Sequence, residues 1–278
     1  MKEYTTPQPS TDTPATAEDR ALLAKVIEAV HDAGSRLLAL YSPEDRPSNR
    51  QEMATAGQRG EEASRGGLQT ALTAARPQAR WVEEEQETTA LPSGEWWVVD
   101  AMEGGVNLVH GLPEWCVSAT LLRENVPVLA AVYQPIGDLT YTAIRGGGAY
   151  LNGKPLHTST KVDLAMAIVT TGQAEAGQAE TYRRIGDSVT AMLHSALLVR
   201  ATVPSTFPLL QVASGHHDVF WQYEPVLPGI AAGALFITEA GGIVSDIQGN
   251  PWQPGSPDFL ATSPRLHAAA VEVLATVN

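Results

Sequence analysis

Apolar residues recur at helical spacing early in the chain, at Leu22, Leu23, Val26, Ile27, Val30, Leu37 and Leu38. This spacing predicts an amphipathic helix over about 17–41. Thr16 and Asp19 open it as a capping-box pair, with Asp in place of the usual Glu, and Ser42-Pro43 close it. Residues 43–60 are polar and contain glycine, and read as loop. A second helix over about 61–75 is weakly patterned and carries Gly66-Gly67 inside it. From Trp81 onward the pattern changes to that of strands. Trp96 to Val99 is a short apolar strand ending on Asp100. Further strands are predicted at 117–122, 128–133 and 139–144. Residues 146–153 form a glycine-rich loop and hairpin. Helices and strands then alternate to the end. One helix over 230–240 stops at Gly241-Gly242, and Leu266 to Val277 forms a last helix or helix–strand unit.

Composition narrows the class. A chain of 278 residues, 44% of them apolar, can bury a sizeable core in one large domain or two tightly joined ones. Disorder is expected only at the termini, with residues 1–15 as a Pro/Thr/Ser-rich leader. The net charge of −13, without any Lys/Arg run, argues against nucleic acid and against an anionic membrane surface. No apolar stretch reaches the roughly 20 residues of a membrane helix. The N-terminus lacks the charged-then-apolar order of a signal peptide, so a cytoplasmic location follows by elimination. Cys116, in the apolar run 115–119, reads as a buried small hydrophobe.

Candidate chemistry gathers around Asp100. The segment 98–107 is VVDAMEGGVN, a buried strand that delivers one acid at its end. A second acid, Glu103, follows, then Gly104-Gly105. Glycines there would let backbone N–H groups approach an anion closely. Trp81-Val82 leads into Glu83, Glu84 and Glu85. Two carboxylates about 4 Å apart repel by roughly 4 kcal/mol at an effective dielectric near 20. A cluster of Glu84, Asp100 and Glu103 therefore needs a cation, or one member must stay protonated. Mg²⁺, which takes oxygen ligands, suits acids beside an anion cradle.

At these residues the chain resembles the inositol monophosphatase superfamily. WVVDAMEGGVNLVHG at 97–111 is similar to the family's W-x-x-D-P-[ILM]-D-G-T-x-N-[FY]-x-x-G. The strands around Val132-Tyr133-Gln134-Pro135 and Tyr141-Thr142-Ala143, the turn at 146–153 and the segment 230–242 match further family motifs in order. The resemblance implies an α/β (α+β) fold built as a five-layered αβαβα sandwich, usually a homodimer. The chain would divide into an N-terminal α+β half at 16–155 holding the carboxylate site and a C-terminal α/β half at 156–278. It also implies a Mg²⁺-dependent phosphatase. Carried over, Glu84 would bind the first metal and help hold the attacking water. Asp100 would bridge two metals, with the Met102 carbonyl and Glu103 as further ligands. Gly104, Gly105 and Val106 would line the phosphate. Gln222 would stand where inositol-phosphate phosphatases place a Glu that touches substrate hydroxyls.

Departures from the family pattern are as informative. Glu103 replaces an Asp, and Gly105 replaces a Thr whose hydroxyl orients the water. Pro228-Gly229 falls on the Trp-Asp pair whose Asp ligates the second metal. Val203-Pro204-Ser205 replaces a small-residue turn. Glu224 is a candidate substitute ligand, and Glu61 a weak match to an early family Asp. His110 and the pair His216-His217 read as structural, and Asp218 as closing a turn.

Two expectations stay open. One is a divergent enzyme with weakened two-metal hydrolysis, holding one Mg²⁺ or none. It would act on a small phosphorylated or sulfated polyol, sugar or nucleotide-type metabolite. The other is a repurposed member, in which Glu84, Asp100 or Glu103 serves as general acid or base in non-hydrolytic chemistry. A non-catalytic subunit binding a partner chain belongs with this second expectation.

Overall fold

The capping box at Thr16 forms as the sequence predicts. Thr16 Oγ1 accepts from the Asp19 N–H at 3.0 Å, and the Asp19 carboxylate accepts from the Thr16 N–H and hydroxyl. It opens helix α1, Ala17–Leu38. The computed structural model describes residues 15–44, 46–83, 88–173 and 177–277. The expected leader lies almost wholly outside the described residues, as do Glu84 and Glu85.

Helix α2 runs over Arg50–Ala75, so the predicted loop at 43–60 is helical from residue 50. The Asn49 side chain caps it by accepting from Glu52 N. Its weak amphipathic pattern hid it. The face toward the rest of the fold is narrow and made of Gly60, Ser64, Leu68 and Leu72. Tertiary packing overrides the low propensity of its glycines. Leu68 and Leu72 join Leu37, Val26 and Val30 in one core against the large sheet. Each such side chain stabilises by about 1.5–3 kcal/mol on full burial.

The large sheet holds β1 (Arg80–Trp81), β2 (Glu95–Glu103), β3 (Cys116–Arg123), β4 (Val126–Gln134), β5 (Leu139–Ile144), β6 (Gly148–Leu151) and β7 (Lys154–Pro155), in that order. All pairings beyond β1–β2 are antiparallel. A smaller five-stranded sheet has the order β11-β12-β10-β8-β9. Its strands are β8 (Ile168–Thr171), β9 (Leu198–Ala201), β10 (Val219–Tyr223), β11 (Ile243–Ser245) and β12 (Asp258–Thr262). Between the sheets lie α5 (Thr206–Ala213) and α6 (Leu227–Glu239), whose apolar residues share a core with both. Helices α4 (Ala179–Leu193) and α7 (His267–Leu274) cover the other face of the small sheet. A short helix, α3 (Gly105–Val109), follows β2. This is the five-layered αβαβα sandwich.

Several elements differ in detail from the sequence reading. Strand β2 continues past Asp100 to Glu103. Asp218 does more than close a turn. It is fully buried and accepts from Ser159 Oγ at 2.5 Å, Lys161 Nζ at 2.7 Å and Ile168 N at 2.8 Å. His217 is buried against Thr170, whose hydroxyl lies 3.1 Å from Nδ1. Cys116 is buried, as expected. Among the described residues no helix is long and apolar enough to cross a membrane.

One ionic network ties the outer helices to the large sheet. Glu95, at the start of β2, accepts from Arg76 Nε at 2.7 Å and from Arg123 Nε at 2.9 Å. Arg76 also pairs with Glu18, and Arg123 with Asp19. The Arg76 hydrogen bond first, and the Arg123 bond and both charges further, hold the Glu95 carboxyl below the usual carboxylate range against the cost of burial. Its contribution is therefore present above the ordinary carboxylate pKa and is lost as pH falls through the depressed folded value. Glu95→Gln should cost about 1–3 kcal/mol in urea denaturation at neutral pH. The gap to the parent should close as the pH is lowered through the depressed Glu95 pKa. A gap that persists at acid pH would show that packing, rather than charge, is what the substitution removed.

Candidate functional site

A regular strand alternates its side chains, so residues three apart face opposite sides. Asp100 and Glu103 nevertheless come together. Asp100 pairs with Ser118 and Glu103 with Cys116, so β2 spends three steps where β3 spends two. That extra residue is a β-bulge, and it re-aims the second acid. Asp100 Oδ1 accepts from the Met102 N–H at 2.9 Å, which pins the bulged segment.

Glu103 is 5% exposed. Thr206, the first residue of α5, donates its hydroxyl to Glu103 Oε1 at 3.2 Å and its backbone N–H to the same carboxyl. Burial, and then the neighbouring Asp100 through its charge and a carboxyl–carboxyl hydrogen bond, push Glu103 well above the carboxylate range despite the Thr206 donors. Burial, with Glu103 and Asp100 behind it, also raises the Cys116 thiol and keeps it an inert thiol.

Beyond the bulge, Gly104 has φ +79°, and a Cβ there would lie 2.7 Å from the Glu114 carbonyl oxygen and 3.0 Å from Pro204. Only glycine makes this turn at low cost. It starts α3 directly after the acids, and the first N–H groups of a helix have no partner within it. A Cβ on Gly105 would come 2.9 Å from the Met102 methyl. Val106 is exposed at this turn. Asn107 Nδ2 donates to Glu114 O at 2.8 Å and Val203 O at 3.0 Å, fastening the turn to the 203–205 segment. His110 Nδ1 lies 2.7 Å from Val106 O, a structural contact as expected.

The far wall belongs to the small sheet. Ser205 Oγ donates to Gln222 Oε1 at 2.5 Å, and Gln222 is 8% exposed. Thr206 Oγ1 also lies 3.4 Å from the Gly229 carbonyl oxygen. Gly229 faces Val226 and Ser205 with ordinary clearance, 3.8 and 3.9 Å from an added Cβ. The structure thus brings together Asp100, Met102, Glu103, Gly104 and Gly105, with Gln222 joined to them through Ser205-Thr206. Glu84 lies outside the described residues. Glu224 has its carboxylate on Thr181 Oγ1 of α4, at 2.9 Å, which is a poor start for a substitute ligand at Gly229. Glu61 pairs with Arg65 on the surface of α2. Sequence reasoning passed over Thr206 and Asn107. Both act through contacts roughly a hundred residues away in the chain, which no local pattern encodes.

A two-ion centre does not fit the described residues. Among them no group of three or more His, Cys, Asp or Glu could hold a metal ion. Gly229 offers no side-chain oxygen. A single ion would require Glu84 beside Asp100 and the Met102 carbonyl.

The chain belongs to the inositol monophosphatase family, whose model matches residues 13–277. It is 36% identical to inositol monophosphatase 2 of Solanum lycopersicum over 201 residues, 68% of this chain and 74% of that one. A putative Nus factor SuhB of Neisseria meningitidis serogroup B is 31% identical over 212 residues, 74% of this chain and 79% of that one. Among solved structures, inositol monophosphatase from Anabaena superposes with TM-score 0.76 at 24% identity, covering 93% and 97% of the two chains. Members of the family are phosphatases and generally use Mg²⁺.

The Glu103 geometry gives a stability test. An acid whose pKa rises on folding stabilises the fold below its unfolded pKa, and loses that contribution as pH rises through the folded value. Glu103→Gln keeps the shape and removes the ionisation. In chelator-treated protein the variant should match the parent near about pH 4. It should become the more stable of the two by at least about 1 kcal/mol toward alkaline pH. A variant less stable than the parent at every pH would mean that the carboxyl is ionised in the fold.

Proposed function

We propose that the chain acts on a small phosphorylated or sulfated polyol, sugar or nucleotide-type metabolite, as a phosphomonoesterase-like catalyst with weakened two-metal hydrolysis. One juxtaposition carries this reading. The Gly104-Gly105 turn and Asp100 are retained at the end of β2, while Gly229 brings no carboxylate to the facing wall. The anion would sit on the free N–H groups at the start of α3, which need no metal to receive it. Hydrolysis needs more than a cradle. Loss of a metal donor and of the water-orienting hydroxyl removes several kcal/mol of barrier lowering.

A second reading is favoured by Glu103 itself. A neutral carboxylic acid hydrogen-bonded to Asp100 and oriented by Thr206 has the make-up of an acid–base pair. In that case the anion pocket serves proton transfer without hydrolysis.

Three measurements separate the readings. Titration calorimetry with Mg²⁺ or Mn²⁺ should find at most one tight site per chain, and two tight sites would place an unseen donor near Gly229. Gly105→Val should weaken binding of inorganic phosphate by about tenfold or more, since the branched side chain crowds both Met102 and the anion. An unchanged affinity in the folded variant would put the anion elsewhere. The triple change Glu103→Asp, Gly105→Thr and Gly229→Asp should raise Mg²⁺-dependent hydrolysis of an aryl phosphate by at least about tenfold, roughly 1.4 kcal/mol of barrier. An added Cβ at Gly229 meets only ordinary contacts, whereas Gly105→Thr requires Met102 to move. If the parent already turns over such esters at ordinary enzyme rates and the triple change slows it, the weakened-site reading is wrong.

A further inference from the structure

Helix α5 starts at Thr206 without a side-chain cap from its own segment. Ser205, at the N-cap position, makes no capping hydrogen bond, and its hydroxyl pairs with Gln222. The first N–H groups of a helix need acceptors from outside it, and a carboxyl beside them is favoured by the helix dipole. Glu103 supplies that acceptor from the end of β2, taking the Thr206 hydroxyl at 3.2 Å and the Thr206 N–H. Both partners are enclosed, Thr206 at 1% exposed and Glu103 at 5%. The Thr206 hydroxyl has one other contact, longer at 3.4 Å, with the Gly229 carbonyl oxygen. Asp100 differs. It is partly exposed, and its Oδ1 accepts from Met102 N at the bulge. The two neighbouring acids are therefore unequal, one open to the cleft and the other engaged by the start of α5.

We propose that Thr206 withholds the Glu103 carboxyl from a divalent cation beside Asp100, so that the misfit to a two-ion centre is set at the start of α5 as well as at Gly229. This rests on the weakened two-metal reading given above. Thr206 is a positioning residue, since it acts on the cation only through Glu103. To become a ligand, Glu103 would turn away from two donors and leave them enclosed and unpaired, which costs free energy. The small, nearly octahedral shell of Mg²⁺ fixes where a ligand oxygen must stand, and tolerates little compromise between the two demands. A Glu is one methylene longer than the Asp that the family resemblance implies at this position, and that length is part of its reach to α5.

The test titrates Mn²⁺ into the full, chelator-treated chain by calorimetry, with bound ions counted by electron paramagnetic resonance, so that binding is read without turnover. Thr206→Val keeps the side-chain shape and removes the hydroxyl donor. It should bind Mn²⁺ at least about tenfold more tightly than the parent. Thr206→Ser, which returns the hydroxyl, should stay within about threefold of the parent. Glu103→Asp, which draws the carboxyl back by one methylene, should show a gain like that of Thr206→Val, and it stands in if Thr206→Val does not fold. Adding Thr206→Val to Glu103→Asp should then change the affinity by less than about threefold, because the contact is already gone. In a Glu103→Gln background, Thr206→Val should give no gain. A folded Thr206→Val or Glu103→Asp that binds Mn²⁺ no better than the parent overturns this inference. So does a gain that survives Glu103→Gln. Either result leaves the weakened two-metal reading standing, whereas a parent that holds two tight ions overturns both.

Discussion

The site depends on one irregularity in backbone pairing. The bulge between Asp100 and Glu103 breaks the two-residue alternation of β2 and puts two acids side by side. Without it, one would face the α1/α2 layer and the other the layer between the sheets. The Met102 N–H bond to Asp100 and the Thr206 donors to Glu103 hold the re-aimed ends. The left-handed turn at Gly104 follows at once, so acids and anion cradle share one short stretch of chain.

That arrangement imposes an electrostatic problem, because enclosing two carboxylates together is costly unless something neutralises one of them. In a fully equipped member of the family a pair of cations would do so. Here burial and the neighbouring Asp100 push the Glu103 carboxyl well above the usual carboxylate range, and the Thr206 hydroxyl orients it. The Gly104-Gly105 turn beside the acids is built from backbone and glycine, and no side chain is needed to form it.

The far wall turns on one dipeptide. Ser205-Thr206 begins α5 and serves both sides, with Thr206 on Glu103 and Ser205 on Gln222. A change in that dipeptide would therefore disturb the acids and the Gln222 amide together. The Arg76–Glu95–Arg123 network acts at the opposite end of β2 and sets how α1 and α2 lie on the sheet. One strand thus carries an acid whose carboxyl is held below the usual range by two arginines at its entry, and one pushed above that range by burial at its exit.

The sequence by itself determined the family, the capping box at Thr16, the strands from β2 to β5, the helix before Gly241 and the buried Cys116. These are local facts, set by periodicity, turn residues and short motifs. It also placed glycines, Gly105 and Gly229, at positions where the family resemblance implies a Thr and an Asp. It misjudged α2, because a helix whose buried face is mostly glycine and serine carries little hydrophobic period. Only the tertiary structure decided that Asp100 and Glu103 meet, because the bulge depends on the register of a neighbouring strand. Only the tertiary structure assigned Thr206 to Glu103 and Ser205 to Gln222. The first ties α5 to the large sheet and the second ties it to the small sheet, and such hydrogen bonds gain weight once burial has removed water as the competing partner.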